Sequence, residues 1–424
     1  MNPGGLVTIR PGAVDPSPSE IRTHRSLLAA GATLMAISSG VWYSASVFFV
    51  ALLREFRSDY ATTAGVFSLF TLLYGCFGIL AGSLLDRLGP RRVVLIGGIL
   101  LPLAHASSAL ASGLWQLYVT HGILTPLGLS FTGYVPVSVL MTHVFRIQRG
   151  LALGIASAGV GVGILAIVPL TQFVIEQAGW RAAFLVLAAL AACVTLPVAV
   201  WALRGPGCGA PSAPAGRTAR PAGAQGGWSL ARLLRSRQFW LIGATFILLN
   251  GSTQLILTHH VAHLVEAGQS RMLVAWIVGL VGLMSIPGKI GWGFLSDRQW
   301  LEWIYTWGGT GIIAGMGVLL AIGPETAGWL LAAYAVLMGV GYSVSPALSP
   351  IMSGRFFAGA SFGMIFGALN TLYQFGGAAG IWLAGYAHDQ TGSYRVAFLA
   401  TILCVLLSVG CAWLAAPRRL TEKP

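Results

Sequence analysis

The sequence predicts an all-α membrane protein of twelve transmembrane helices in two pseudo-symmetric six-helix bundles, and three observations predict it. Of its 424 residues 56% are hydrophobic and only 9% charged, against roughly one-quarter charged in an average soluble domain, and the mean hydropathy is +0.77. Apolar runs long enough to span a bilayer core, about 20 residues each, recur along the whole chain. Short motifs in the first half return in the second at a nearly constant offset.

The runs fall near residues 27–53, 61–85, 92–111, 114–142, 150–175, 181–203, 238–265, 272–295, 303–323, 327–352, 359–386 and 394–415. Residues 1–26 form a polar, proline-containing tail without an apolar core of the signal-peptide kind, so the first span is expected to serve as the insertion signal. The longest break, 204–237, opens with the Pro/Gly/Ala-rich "RGPGCGAPSAPAGRTARPAGAQGG" and closes with "WSLARLLRSRQF", a basic amphipathic turn expected on the membrane surface. It separates an N-terminal bundle, 27–203, from a C-terminal bundle, 238–416, and a short tail, 417–424, ends the chain.

Charge sets the orientation. Nineteen Lys and Arg fall in the tails, the linker and the connections on their side of the membrane, foremost Arg87, Arg91 and Arg92. Five fall on the other side: Arg54, Arg57, Arg181, Arg271 and Arg395. The positive-inside rule therefore predicts a multi-pass protein of the cell (inner) membrane with both termini cytoplasmic. The net charge of +13 forms no basic stripe with interleaved aromatics, which argues against nucleic acid as a partner. The five cysteines show no metal or disulfide spacing and read as packing residues, and no cofactor is expected.

The repeat is explicit. "GSLLDRLG" (82–89) after the second span corresponds to "GFLSDRQW" (293–300) after the eighth, and "GWRAAF" (179–184) corresponds to "GSYRVAF" (392–398). Asp86 and Asp297 are 211 residues apart, Arg181 and Arg395 214. Parallel six-helix repeats with a site between them are a transporter architecture.

"GSLLDRLGPRR" resembles the loop motif between the second and third helices of the major facilitator superfamily, Gly-x-x-x-Asp-Arg-x-Gly-x-Arg-Arg. Gly82 would permit close helix approach, and Asp86 could accept bonds from Arg91 or sit at a helix N-terminus. The resemblance implies an inner-face conformational latch of Gly82, Asp86, Arg87 and Arg91, repeated by Asp297 and Arg298. Within the superfamily the chain is similar to the monocarboxylate transporters and their bacterial oxalate/formate relatives. "VFFVALLREF" (47–56), "HVFRIQRGLALGIASAGVGVG" (143–163), "GKIGWGFLSDR" (288–298) and the stretch 362–398 carry that likeness. Glycines 150, 154, 159, 161 and 163 would let helices pack closely and slide.

Lys289 lies roughly 12 Å inside the inner end of the eighth span, at 1.5 Å per residue. A charge there costs a few kcal/mol, no Asp or Glu falls at comparable depth, and the preceding Pro287-Gly288 is expected to kink the helix or open its backbone. Lys289 therefore either snorkels into water or faces a polar cavity and binds an anion. The resemblance favours the second, since the family carries an essential basic residue, usually arginine, at this position. Two departures stand out: Ser285 replaces an aspartate tied to proton coupling in the animal proteins, and Tyr43 replaces a lysine of the first helix.

Substrate contacts are expected from Lys289, Tyr43, Asn250, Asn370 and Gln374. His259, His260, His263 and His121 are candidates for proton coupling or an outer gate, histidine titrating near neutrality; no metal is expected at them. The expected function is secondary active transport by alternating access of a small organic anion, a monocarboxylate, with a proton or in exchange, by a chain working as a monomer and not as an enzyme. An exporter of a drug or acidic secondary metabolite, and a non-transporting membrane sensor, are the alternatives.

Overall fold

The computed structural model describes residues 24–145, 149–204, 233–296, 298–357 and 362–415. The linker core 205–232, most of the expected surface turn, Asp297, and both tails beyond 24 and 415 lie outside these residues. Ten helical stretches are long and apolar enough to cross a membrane. With one of them dividing in two and one further helix beside them, they make twelve spans. The 53-residue run Arg149–Trp201 breaks at Gly179, whose φ of +82° only glycine adopts without strain, giving two spans. The twelfth, Phe362–Thr391, is 30 residues long and carries more polar side chains.

In chain order the spans are α1 (Arg25–Phe56), α2 (Tyr60–Leu88), α3 (Pro90–Ala109), α4 (Leu114–Met141), α5 (149–178), α6 (180–201), α7 (Arg237–Glu266), α8 (Arg271–Ser296), α9 (Leu301–Ala321), α10 (Gly328–Ser353), α11 (Phe362–Thr391) and α12 (Arg395–Ala415). The arginine-rich face that carries Gly89 and Arg298 is called inner below, the opposite face outer. The expected boundaries hold to within a few residues, except that α11 runs further at its outer end, to Thr391.

Three spans are interrupted. α1 breaks between Tyr43 and Ala45, where the Ser44 hydroxyl donates to Gly40 O at 2.7 Å and lies 3.1 Å from Thr171 Oγ1 of α5. α4 carries a π-helical turn, Thr120–Leu124, and breaks at Gly133. α10 breaks at Ser343. Gly133 and Ser343 are 210 residues apart, close to the offset of the sequence repeat. α8, by contrast, stays helical through Pro287, so the expected opening of its backbone does not occur.

Small residues set the close crossings. A Cβ on Gly159 or Gly163 of α5 would run into the carbonyls of Ala32 and Ala36 on α1, and one on Gly161 would come within 2.7 Å of Gly282 O on α8. α5 thus packs against its own half through two glycines and against the other half through a third. Gly154 has open space around it. Cys76 and Cys193 are exposed on the outside of the bundle, so they do not fill the core as expected; cysteine is apolar enough to face lipid.

The halves meet from the outer end to the middle of the membrane and part below it. On α2, Ser68 donates to Ala378 O of α11 at 2.7 Å, and Gly75 packs against the Gln374 side chain. On α1, Phe49 stands edge-on to His259 of α7 at 4.8 Å. α5 and α8 touch through Leu165 on Gly279, Ile164 on Gly282 and Gly161 on Ile286. Further inward, Gly82 on α2 and Gly291 and Gly293 on α8 have nothing within 4 Å of an added Cβ, and Asn370 and Tyr134 are exposed. The structure is inward-open.

Candidate functional site

The site is built around α8. Gly282 and Ile286 face α5, while Gly288 and Trp292 face α10, where the Trp292 indole donates to Val340 O at 2.9 Å. Pro287, Ile290 and Phe294 form the exposed outer surface of the helix. Lys289 lies on the remaining strip, between the α5 face and the α10 face, three residues inward of Ile286 where the halves begin to part. Its side chain is half-buried, and it forms no ion pair among the described residues. The pairs that do form join Arg181 to Glu55 and His388 to Glu266, both near the outer face.

One turn outward of Lys289, about 6 Å along the axis, Ser285 is buried and donates to Gly282 O at 2.7 Å. The Tyr342 hydroxyl, at the break of α10, faces Ser285 from one side and Tyr43, at the break of α1, from the other. Tyr373 of α11 faces Tyr342 and Ser345, and Tyr305 of α9 stands behind Tyr373. The hydroxyls of Tyr305, Tyr342 and Ser345 are buried and complete no hydrogen bond among the described residues. Leaving a buried hydroxyl unmatched costs about 1–3 kcal/mol, so these hydroxyls, turned toward one another outward of Lys289, form a polar wall suited to water or a ligand. Above this wall a cavity of about 20 Å³, lined by Trp42, Tyr43, Ser46, Thr71, Gln254 and Thr258 among others, has room for about one water molecule.

The expected substrate residues separate into two groups. Tyr43 lines the cavity, and Asn370 and Gln374 lie one turn apart on the α11 face turned to α2; Gln374 is buried where the halves touch, Asn370 exposed where they part. Asn250 does not offer a free amide: its Nδ2 donates to Tyr373 O at 2.6 Å, tying α7 to α11, and its Oδ1 lies 3.4 Å from the Thr253 hydroxyl.

The histidines turn away from the path. His259 has Nδ1 3.1 Å from the Tyr394 hydroxyl and Nε2 2.9 Å from Ile381 O, so both ring nitrogens are occupied inside the C-terminal half. The partners assign the proton to Nε2, which donates to the carbonyl. His260 Nδ1 lies 2.7 Å from the Tyr334 hydroxyl, and His263 Nε2 3.3 Å from Leu319 O. His121, on the π turn of α4, is caged by Phe48, Phe67, Phe70 and Phe184, with His105 at 5.9 Å. No metal-holding group of histidine, cysteine or carboxylate occurs among the described residues.

At the inner face, Gly82 meets no neighbour, because the helix ends it would bring together are apart in this state. Arg91 donates from Nε to Ala199 O of α6 at 3.3 Å, within its own half. Arg87 is exposed, the Arg298 guanidinium lies 4.1 Å over the Phe294 ring, and the side chain of Asp86 and all of Asp297 lie outside the described residues. Sequence reasoning missed Ser345 and Tyr305: a serine and a tyrosine in an apolar span carry no signal until the packing shows them unmatched.

The model of the Major Facilitator Superfamily matches residues 31–380 and 260–424. Curated relatives include monocarboxylate transporter 13 of Bos taurus, 28% identical over 88% of this chain and 85% of its own length. Monocarboxylate transporter 11 of Homo sapiens is 27% identical over 92% and 82%. Among solved structures, a bacterial homolog of the human lysosomal transporter Spinster, inward-facing and unoccupied, aligns with a TM-score of 0.71 at 16% identity, covering 96% of this chain and 99% of that one. The peptide transporter POT in complex with sulfate aligns with a TM-score of 0.74 at 16% identity, covering 94% and 96%. Two six-helix halves that part on one face, matched along almost their whole length by one family model, make the chain a member of the Major Facilitator Superfamily of membrane transporters, not an enzyme.

Proposed function

We propose that the chain is a secondary active transporter of a small organic anion, a monocarboxylate, working by alternating access. The observation that carries this is Lys289: a cation about 10 Å inside the inner end of α8, without an acidic partner among the described residues, inward of a wall of buried hydroxyls. Anion binding supplies the missing counter-charge, and the ammonium, a point donor with three hydrogens, makes one end of the contact. Tyr43 and Tyr342 donate from above, and Gln374 and Asn370 close the α11 side. The names of the curated relatives support a monocarboxylate. With Ser285 at the mid-membrane position one turn from Lys289, no carboxylate there competes with the substrate for the lysine. The arginine distribution supports a cell membrane with both termini cytoplasmic. The working unit is a monomer, with the domain limits at 27–203 and 238–416.

The test is uptake of labelled small carboxylates into proteoliposomes, with and without an imposed pH gradient, by the parent and Lys289→Met. Carboxylate uptake by the parent and its loss in the variant support the reading, and the gradient arm separates proton symport from exchange. Equal transport by parent and variant, or no carboxylate moved by either, overturns it.

A further inference from the structure

The outer closure of this inward-open state holds a set of polar contacts that neither the sequence motifs nor the anion site involves. α2 starts at Tyr60, and its first N–H groups have no partner within the helix. The residue placed to cap them, Asp59, makes no side-chain bond to the helix backbone; its Oδ2 accepts from the Thr62 hydroxyl at 2.7 Å. The cap arrives from the other half. Asp389, near the outer end of α11, accepts from Tyr60 N through Oδ1 at 2.8 Å and from Ala61 N through Oδ2 at 2.7 Å. A carboxylate at a helix N-terminus is favoured both by the unpaired donors and by the helix dipole. Here it also joins the two bundles.

Tyr60 makes a second link. Its hydroxyl donates to Glu266 Oε1 at the end of α7, also in the C-terminal half, at 2.7 Å. Glu266 Oε2 lies 3.3 Å from His388 Nε2, and the His388 ring stacks on the Tyr60 ring at 3.8 Å. Gly385 of α11 leaves room for this approach, since a Cβ there would come within 2.7 Å of Tyr60 O. Further charged and titratable groups around the cluster are Tyr394 and Arg395 at the start of α12, His263 on α7 and Arg54 on α1.

We propose that Asp389 and Tyr60 form the outer latch of the transport cycle, in which the C-terminal half caps α2 of the N-terminal half and the outward-open state requires that cap to be withdrawn. The latch holds only when the outer ends of α2, α7 and α11 are together. Removing it shifts the population toward the outward-open state without altering the anion site. The proposal stands on superfamily membership and not on the identity of the substrate.

The experiment places a single cysteine at Thr258, which lines the cavity beneath the closure, in a background with the five native cysteines replaced. Labelling by a membrane-impermeant maleimide is then followed from the face that carries Tyr60. Asp389→Asn keeps the shape but loses one of the two bonds, because the amide NH2 cannot accept from a backbone N–H, and leaves the other without its charge; Tyr60→Phe keeps the stack on His388 but loses the bond to Glu266. Asp389→Asn is expected to raise the labelling rate about tenfold to a hundredfold, the worth of roughly one charge-assisted hydrogen bond, and Tyr60→Phe less in the same direction. Labelling from the opposite face should fall in step. Glu55→Gln, which breaks an outer ion pair inside one half, should leave both rates unchanged. Parental rates in Asp389→Asn and Tyr60→Phe, or an equal rise in Glu55→Gln, overturn the latch; because no substrate is used, such a failure leaves the anion site standing. Should Asp389→Asn fail to fold, Tyr60→Phe alone decides.

Discussion

Replacing Lys289 by methionine should change stability with opposite signs in the absence and presence of substrate. The side chain sits seven residues from the end of α8 at Ser296, about 10 Å deep, in a core about 15 Å from surface to midplane. A cation on a helix at the bilayer centre costs about 2.5–3.5 kcal/mol on insertion scales. Lys289 is half-buried, so water offsets part of this, and the substitution should stabilise the empty protein by about 1–2 kcal/mol. A bound anion reverses the order: at a concentration of about 100 Kd it stabilises the parent by about 2.7 kcal/mol and the methionine variant by almost nothing. Thermal unfolding of the purified protein, with and without a series of short-chain carboxylates, reads both effects in one experiment. Lys289→Arg should keep the anion response, since its charge is retained. The reasoning fails if Lys289→Met lowers the stability of the empty protein, which would reveal a partner for the lysine, or if carboxylates stabilise parent and variant alike.

Other positions separate packing from transport. Gly163→Ala, whose Cβ would strike the Ala36 carbonyl, should cost about 1–3 kcal/mol of stability, whereas Gly154→Ala, in open space, should stay within about 0.5 kcal/mol; thermal unfolding compares them. Asn250→Ala leaves Tyr373 O without its donor and should lower stability by about 1–3 kcal/mol with KM unchanged, while Asn370→Ala should raise KM with stability unchanged, as uptake kinetics and unfolding together would show. His260→Gln, whose ring bonds Tyr334 inside the C-terminal half, should leave the pH profile of uptake as in the parent; a shifted profile would place a coupling proton on α7.

The spans, their pairing into halves and the position of Lys289 are legible in the sequence because each depends on local composition or on an internal repeat. A lysine among apolar residues is conspicuous wherever it points. Asn250 and Gln374 look equivalent in the sequence, yet one amide ties α7 to α11 and the other packs where α2 meets α11. Which face a polar side chain takes depends on the partner helix, and that is absent from a single segment. The three α7 histidines show the same limit: their spacing along one helix suggests one shared surface, and the structure sends each to a different neighbour, Ile381, Tyr334 and Leu319. Asp389 reads as a loop residue because nothing in "AHDQTGS" shows that the N-terminus of α2 lies against it.

The interrupted helices account for the rest of the site. Irregular backbone at membrane depth persists only where it is buried in protein or lines a cavity; α4 leaves the helical dihedrals at Gly133, whereas Ser44 of α1 and Ser343 of α10 interrupt their helices with dihedrals that stay right-handed helical. Each break has a tyrosine beside it: Tyr43, Tyr134 and Tyr342. Two of these three, Tyr43 and Tyr342, meet across the halves above Lys289. The charge therefore comes from an unbroken helix, α8, whose rigidity fixes the depth of the cation. The hydroxyls come from helices of both halves, Tyr43 from α1, Tyr342 from α10, Tyr305 from α9 and Tyr373 from α11. That division puts the charge on a single helix and the hydroxyls beyond it on helices of both halves.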